Sequence, residues 1–141
     1  MTDRGLRVAL GAILLLSTLL KLALVAPARE TKPVRDAFGY VLAAQTLVSE
    51  GRYDSNKGPL YPALLAGALW LGGRDPWSDP RGLDAARLAQ VALSALTTWL
   101  VYRLGRELFD ARAGLAAAAI FAFEPTFVAY TQLLWSETLL A

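Results

Sequence analysis

The sequence contains no cysteine and no histidine. Without cysteine there is no disulfide framework and no thiolate metal site. Without histidine the commonest metal ligand and the usual general base are missing, and so is every Ser-His or Cys-His nucleophile pair. Acid–base chemistry in this chain falls to Asp, Glu, Lys or Tyr. Charge is also scarce: 18% of the 141 residues are charged, the net charge is +2, and the cations are scattered along the chain. A nucleic-acid binder needs a basic face, so no nucleic-acid partner is expected. No low-complexity tract and no internal repeat is present.

Apolar residues, by contrast, make up 55% of the chain. That fraction, with so little charge, lies on the membrane side of soluble averages. Residues 6–28 (LRVALGAILLLSTLLKLALVAPA) are long enough to cross a hydrocarbon core of about 30 Å, which takes about 20 residues. Arg4 and Arg7 lie at its N-terminal end and favour a cytoplasmic N-terminus. Lys21 lies toward its far end, where it is expected to snorkel to the interface. The competing reading is a signal peptide, whose apolar core runs about 7–15 residues. This run is longer, and Pro27 weakens Ala26-Pro27-Ala28 as a cleavage site, so an uncleaved anchor is expected.

Residues 34–50 carry a helical pattern preceded by Pro33 and closed by Gly51. Asp36 falls in its first turn, where a carboxylate suits the helix dipole; periodicity alone reads it as a charge on a solvated face. Asp36, Tyr40 and Leu47 lie near one stripe. Residues 59–73 are apolar but too short to cross comfortably, and are read as an interfacial helix with Tyr61 and Trp70 at headgroup level. A turn-rich stretch around Pro76 and Pro80 follows. Residues 85–104 make a second expected span. Residues 113–134 make a third, interrupted at Glu124-Pro125, with the small residues 113–119 permitting close helix packing. Arg103, Arg106 and Arg112 put the intervening connection in the cytoplasm. The expectation is an all-α integral membrane protein of about three spans, with juxtamembrane helices in its first outer loop. The chain stops as a further apolar run begins and is expected to be the front part of a larger protein, inactive alone.

Taken in order, these features resemble a known superfamily. A first span is followed by an Asp-x-x-x-Tyr helix (Asp36, Tyr40), a Gly-x-Tyr (Gly51, Tyr53) and Lys57-Gly-Pro-Leu-Tyr61. Then come Ala86-Arg-Leu88, Tyr102-Arg-Leu-Gly-Arg106-Glu-Leu-Phe109, Pro125 and Ser136-Glu137-Thr-Leu139. The series is similar to the N-terminal part of GT-C glycosyltransferases, nearest to protein O-mannosyltransferases and bacterial aminoarabinose transferases. The resemblance implies a polyprenyl-phosphate sugar donor, a protein, lipid or glycan acceptor, and a site facing outward from a bacterial plasma membrane. It implies that Asp36 is the catalytic base, a task a carboxylate can perform on an acceptor hydroxyl. Many members carry Asp-Glu where this chain has Asp36-Ala37, so a second carboxylate is missing there.

By the same resemblance Lys57 meets the donor phosphate as a point charge, with Gly58 where a proline is common. Arg87 is a second candidate for that phosphate, against the reading of an interfacial anchor. Tyr40, Tyr61 and Glu137 line the site, and a divalent metal held by Asp36 and Glu137 remains open. A loop lysine and an interfacial glutamate are the plain readings of Lys57 and Glu137. Glu124 receives no role. The alternative to an enzyme is a membrane scaffold, assembly subunit or transporter fragment whose polar residues only anchor and pair helices.

Overall fold

The computed structural model describes residues 2–30, 33, 36–53, 55–56, 58–73, 75–79, 81–134 and 136. Seven helices are present among them and no strand: α1 (Asp3–Ala23), α2 (Val25–Ala28), α3 (Asp36–Glu50), α4 (Leu60–Gly72), α5 (Asp84–Leu108), α6 (Ala111–Phe123) and α7 (Pro125–Leu133). Their ends have local causes. Thr2 caps α1 by accepting from the Gly5 amide, and Asp110 caps α6 by accepting from Arg112 and Ala113. Gly51 closes α3 at φ +66°, a conformation that costs a glycine little. Glu124 breaks the 113–134 run and caps the next helix, accepting from the Phe127 amide at 2.9 Å with Pro125 at the first helical position. The acid without a role is thus a helix start, and α6 and α7 meet there at a 50° bend.

Packing divides into two parts. α1, α5 and α6 form the long bundle, while α3 packs on α4 and α4 packs on the start of α5. The α5–α6 approach is close because Gly114, Ala118 and Ala122 fall at four-residue intervals on the buried face of α6. At Gly114 a Cβ would lie 2.6 Å from the Tyr102 carbonyl oxygen. The main apolar core lies in the second part, where Ala37, Val41 and Ala44 of α3 meet Tyr61, Leu65 and Leu69 of α4.

The long helices are inverted relative to a soluble bundle. α1 buries Ser17 and Lys21 but exposes Leu15, Leu16 and Leu19; α5 buries Arg87, Gln90, Ser94 and Thr98 but exposes Leu88, Leu96, Leu100 and Leu104. Polar side chains thus share the interior while leucines face outward, as lipid requires. By length and composition, residues 3–28 form one clear candidate span, with only 17% of its apolar stretch buried. The bent α6–α7 pair qualifies if taken as one crossing, and α4 is too short. α5 does not qualify on composition, because its buried face is polar.

Candidate functional site

The site grows from the inward face of α5. Arg87, Gln90, Ser94 and Thr98 recur at helical spacing and all turn to the interior. Asp84 opens the helix, where its carboxylate complements the dipole. Arg29 grips that carboxylate with two nitrogens: Nε lies 2.9 Å and Nη2 2.5 Å from Oδ2. The hydrogen bond to Asp84 raises the Arg29 guanidinium above its ordinary value.

Arg87 is 2% exposed. Its Nη2 donates to the Ala28 carbonyl at 2.8 Å, its Nε to the Gln132 carbonyl at 3.4 Å, and its Nη1 lies 3.8 Å from Asp84 Oδ1. The interfacial-anchor reading fails here for a physical reason. α2 and α7 both end at this point, and the last carbonyls of a helix need donors from outside it. One guanidinium supplies two of them.

Lys21 also departs from expectation. It is 1% exposed and does not snorkel outward. The Gln132 amide donates to the Lys21 carbonyl and to Thr131 Oγ1, both at 3.0 Å. Gln132 therefore links Lys21 of α1 to Arg87 of α5. Lys21 Nζ, Arg87 Nη1, Gln90 Oε1 and Gln132 Oε1 are buried without a hydrogen-bond partner among the described residues. Buried polar atoms are ordinarily satisfied, so four in one region mark a polar interior suited to a ligand carrying donors and acceptors.

The tyrosines meet beside this cluster. Tyr40 of α3 and Tyr61 of α4 pack edge to face, with ring centroids 4.9 Å apart. The Gln90 amide donates to the Tyr61 hydroxyl, and the Tyr40 hydroxyl shares a 3.0 Å hydrogen bond with Ser136. Tyr61 is buried in the core, enclosed by this contact and by Gln90. Trp70 is exposed. Asp36 is exposed in the first turn of α3, one turn before Tyr40. Lys57 and Glu137 lie outside the described residues. Among the described residues no three carboxylates gather to hold a metal ion.

The structure thus brings together Tyr40, Tyr61, Gln90 and Ser136, with Arg87 one turn from Gln90 on the same face of α5. Residues 56–141 match the family described as dolichyl-phosphate-mannose-protein mannosyltransferase. The chain belongs to that family. The match spans Lys57, Tyr61, Arg87 and Glu137, and Asp36 and Tyr40 precede it. No curated protein and no solved structure matches the chain. Membership in this mannosyltransferase family bears out the GT-C resemblance and marks the chain as a glycosyltransferase in general. Reading the motifs alone missed Lys21, Gln90 and Gln132. Their signal was present: Ser17 and Lys21 stand four apart in an otherwise apolar helix. Arg87, Gln90, Ser94 and Thr98 repeat the pattern in α5, and such spacing marks the side of a helix that faces its neighbours.

Proposed function

We propose that this protein is an integral-membrane glycosyltransferase that moves a mannose-like sugar from a polyprenyl-phosphate carrier to an acceptor hydroxyl at the outer face of a bacterial plasma membrane. The observation that carries it is the buried polar cluster of Lys21, Arg87 and Gln132, in a chain of the mannosyltransferase family. Two buried cations share this cluster, and the one acid within ion-pair distance of Arg87 among the described residues, Asp84, also holds Arg29. A phosphate would supply the missing negative charge and acceptors. In this reading α1, α5 and the bent α6–α7 pair each cross the membrane. α5 is 25 residues long, about 37 Å at 1.5 Å per residue, enough for a crossing of about 30 Å.

The chemistry is a single displacement. The acceptor oxygen bonds to the anomeric carbon as the bond from that carbon to the phosphate oxygen breaks. Asp36 takes the hydroxyl proton, and the electron pair leaves with the polyprenyl phosphate. Arg87 and Lys57 hold that phosphate as its charge grows, so they act where charge develops in the transition state. Tyr40 and Tyr61 set the position of α3 over the cluster and thereby of Asp36, one turn away.

The test is transfer of labelled mannose from polyprenyl-phosphate-mannose in membranes producing the protein from its complete gene. Lys57→Ala should raise the donor concentration needed for half-maximal rate by at least tenfold, as loss of a charge-assisted contact of about 1.5–3 kcal/mol implies. Membranes with the protein inserted that transfer no sugar from any polyprenyl-phosphate donor would refute the reading.

A further inference from the structure

At the end of the bundle away from Arg87, the start of α1, the end of α5 and the start of α6 border a half-open cavity of about 320 Å³, with Arg7 and Arg106 exposed at its mouth. Asp3, Leu6, Arg7, Tyr102, Arg106 and Ala111 line it. Fifteen residues of α5 separate Arg87 from Tyr102, about 22 Å along the helix, so this cavity is distinct from the site above. Its two guanidiniums are barely used. Arg7 makes one long hydrogen bond, 3.4 Å from Nε to the Asp3 carbonyl, and Arg106 makes no hydrogen bond or ion pair among the described residues. Arg103, one turn earlier on α5, differs: it pairs with Glu107 at 3.4 Å and lies over Trp99.

Tyr102 is buried against α6, and its hydroxyl has no hydrogen bond among the described residues. The first amides of α6 are not on offer, because the Asp110 side chain accepts from Arg112 and Ala113. Recognition here falls to the two arginines, with Asp3 the only acid in the lining among the described residues. Asp3 stands in the first turn of α1, where the helix dipole favours its charge.

Forked guanidinium donors suit a phosphate, which accepts two parallel N–H bonds from each. On the bilayer side of the cavity α1 exposes Val8 and, two turns further, Leu15. Acyl chains attached to that phosphate have an apolar surface to lie along, whereas free phosphate would leave it unused. Basic pockets between membrane helices recognise anionic lipid headgroups by this combination. We propose that the Arg7–Arg106 cavity binds the phosphate of an anionic phospholipid headgroup.

The proposal uses the membrane reading of α1 and α5 but not the transferase reading, and its test requires no turnover. Thermal unfolding of the purified protein in dodecyl maltoside would be followed with dihexanoyl-phosphatidylglycerol, dihexanoyl-phosphatidylcholine or inorganic phosphate added. Phosphatidylglycerol should raise Tm saturably; phosphatidylcholine and phosphate should do so far less. Arg7→Gln/Arg106→Gln should abolish the rise, and Arg103→Gln should keep it. Arg7→Lys/Arg106→Lys retains charge without the fork and should weaken apparent affinity at least tenfold, a reading that holds even if the Gln pair fails to fold. An unchanged rise in both double variants, an equal rise with phosphatidylcholine, or no rise at all would overturn the site. A full rise with inorganic phosphate alone would overturn the lipid assignment.

Discussion

Asp84→Asn should destabilise the protein more than Arg87→Met, although Arg87 is the more deeply buried of the two. The asparagine removes the only carboxylate within ion-pair distance of both Arg87 and Arg29 among the described residues. Arg29 has a side chain 33% exposed and turns to water, but Arg87 does not, with its side chain 3% exposed. Breaking a buried pair from one side costs about 3–5 kcal/mol. The Asp84 side chain is 18% exposed, so screening places this case at about 3 kcal/mol.

Arg87→Met removes the guanidinium altogether. It forfeits the 2.8 Å bond to the Ala28 carbonyl, a contact of about 1.5–3 kcal/mol, while the 3.4 Å contact to Gln132 adds little. Asp84 keeps Arg29, and the desolvation cost of a buried cation, several kcal/mol, disappears. The net loss should be about 0–2 kcal/mol. The double variant should resemble Arg87→Met, giving a coupling of about 3 kcal/mol, the whole cost of Asp84→Asn. Reversible unfolding in mixed micelles, followed by far-ultraviolet circular dichroism as the fraction of dodecyl sulfate rises, measures all three. Arg87→Met costing as much as Asp84→Asn would refute the reasoning, because the guanidinium would then be valued for its bonds and not for its need of a counter-charge.

Gly114→Ala should cost about 1–3 kcal/mol in the same assay, since its Cβ meets backbone at 2.6 and 2.9 Å. Gly67→Ala, in open space within α4, should instead stabilise by about 0.5–1 kcal/mol. The Ala113 amide and then the Arg112 amide hold the Asp110 carboxyl below the ordinary aspartate range. A lowered native value stabilises above the unfolded value of about 3.9 and ceases to do so as pH falls through the native one. The stability gap between wild type and Asp110→Ala should therefore be full at neutral pH and close on acidification below about pH 4, as pH titration of unfolding would show.

The helical class was legible because apolar runs, proline starts and glycine stops punctuate this chain clearly. The family was legible from motif order. The number of crossings was not, and α5 shows why. A helix that buries Arg87, Gln90, Ser94 and Thr98 loses apolar character on one face while remaining leucine-rich on the other, so residues 85–104 read as a crossing whereas α5 as a whole does not qualify on composition. The misreading of Lys21 has the same origin: a lone lysine near a span end reads as snorkelling until Ser17, one turn earlier, is taken with it. The Arg29–Asp84 pair joins residues 55 apart, and nothing local in either segment announces it. Tyr61 was read from its place near a helix start, whereas Gln90 and Tyr40, both distant in sequence, decide its burial.

The central claim is that Asp36 takes the proton in sugar transfer. Asp36→Asn keeps the shape and the helix start while removing the base. In membranes carrying equal amounts of inserted protein, transfer of labelled mannose from polyprenyl-phosphate-mannose should fall by at least 100-fold, the low end of what a general base contributes, with donor binding retained. Near-normal transfer by Asp36→Asn would contradict the account and leave Asp36 as a helix-terminus charge.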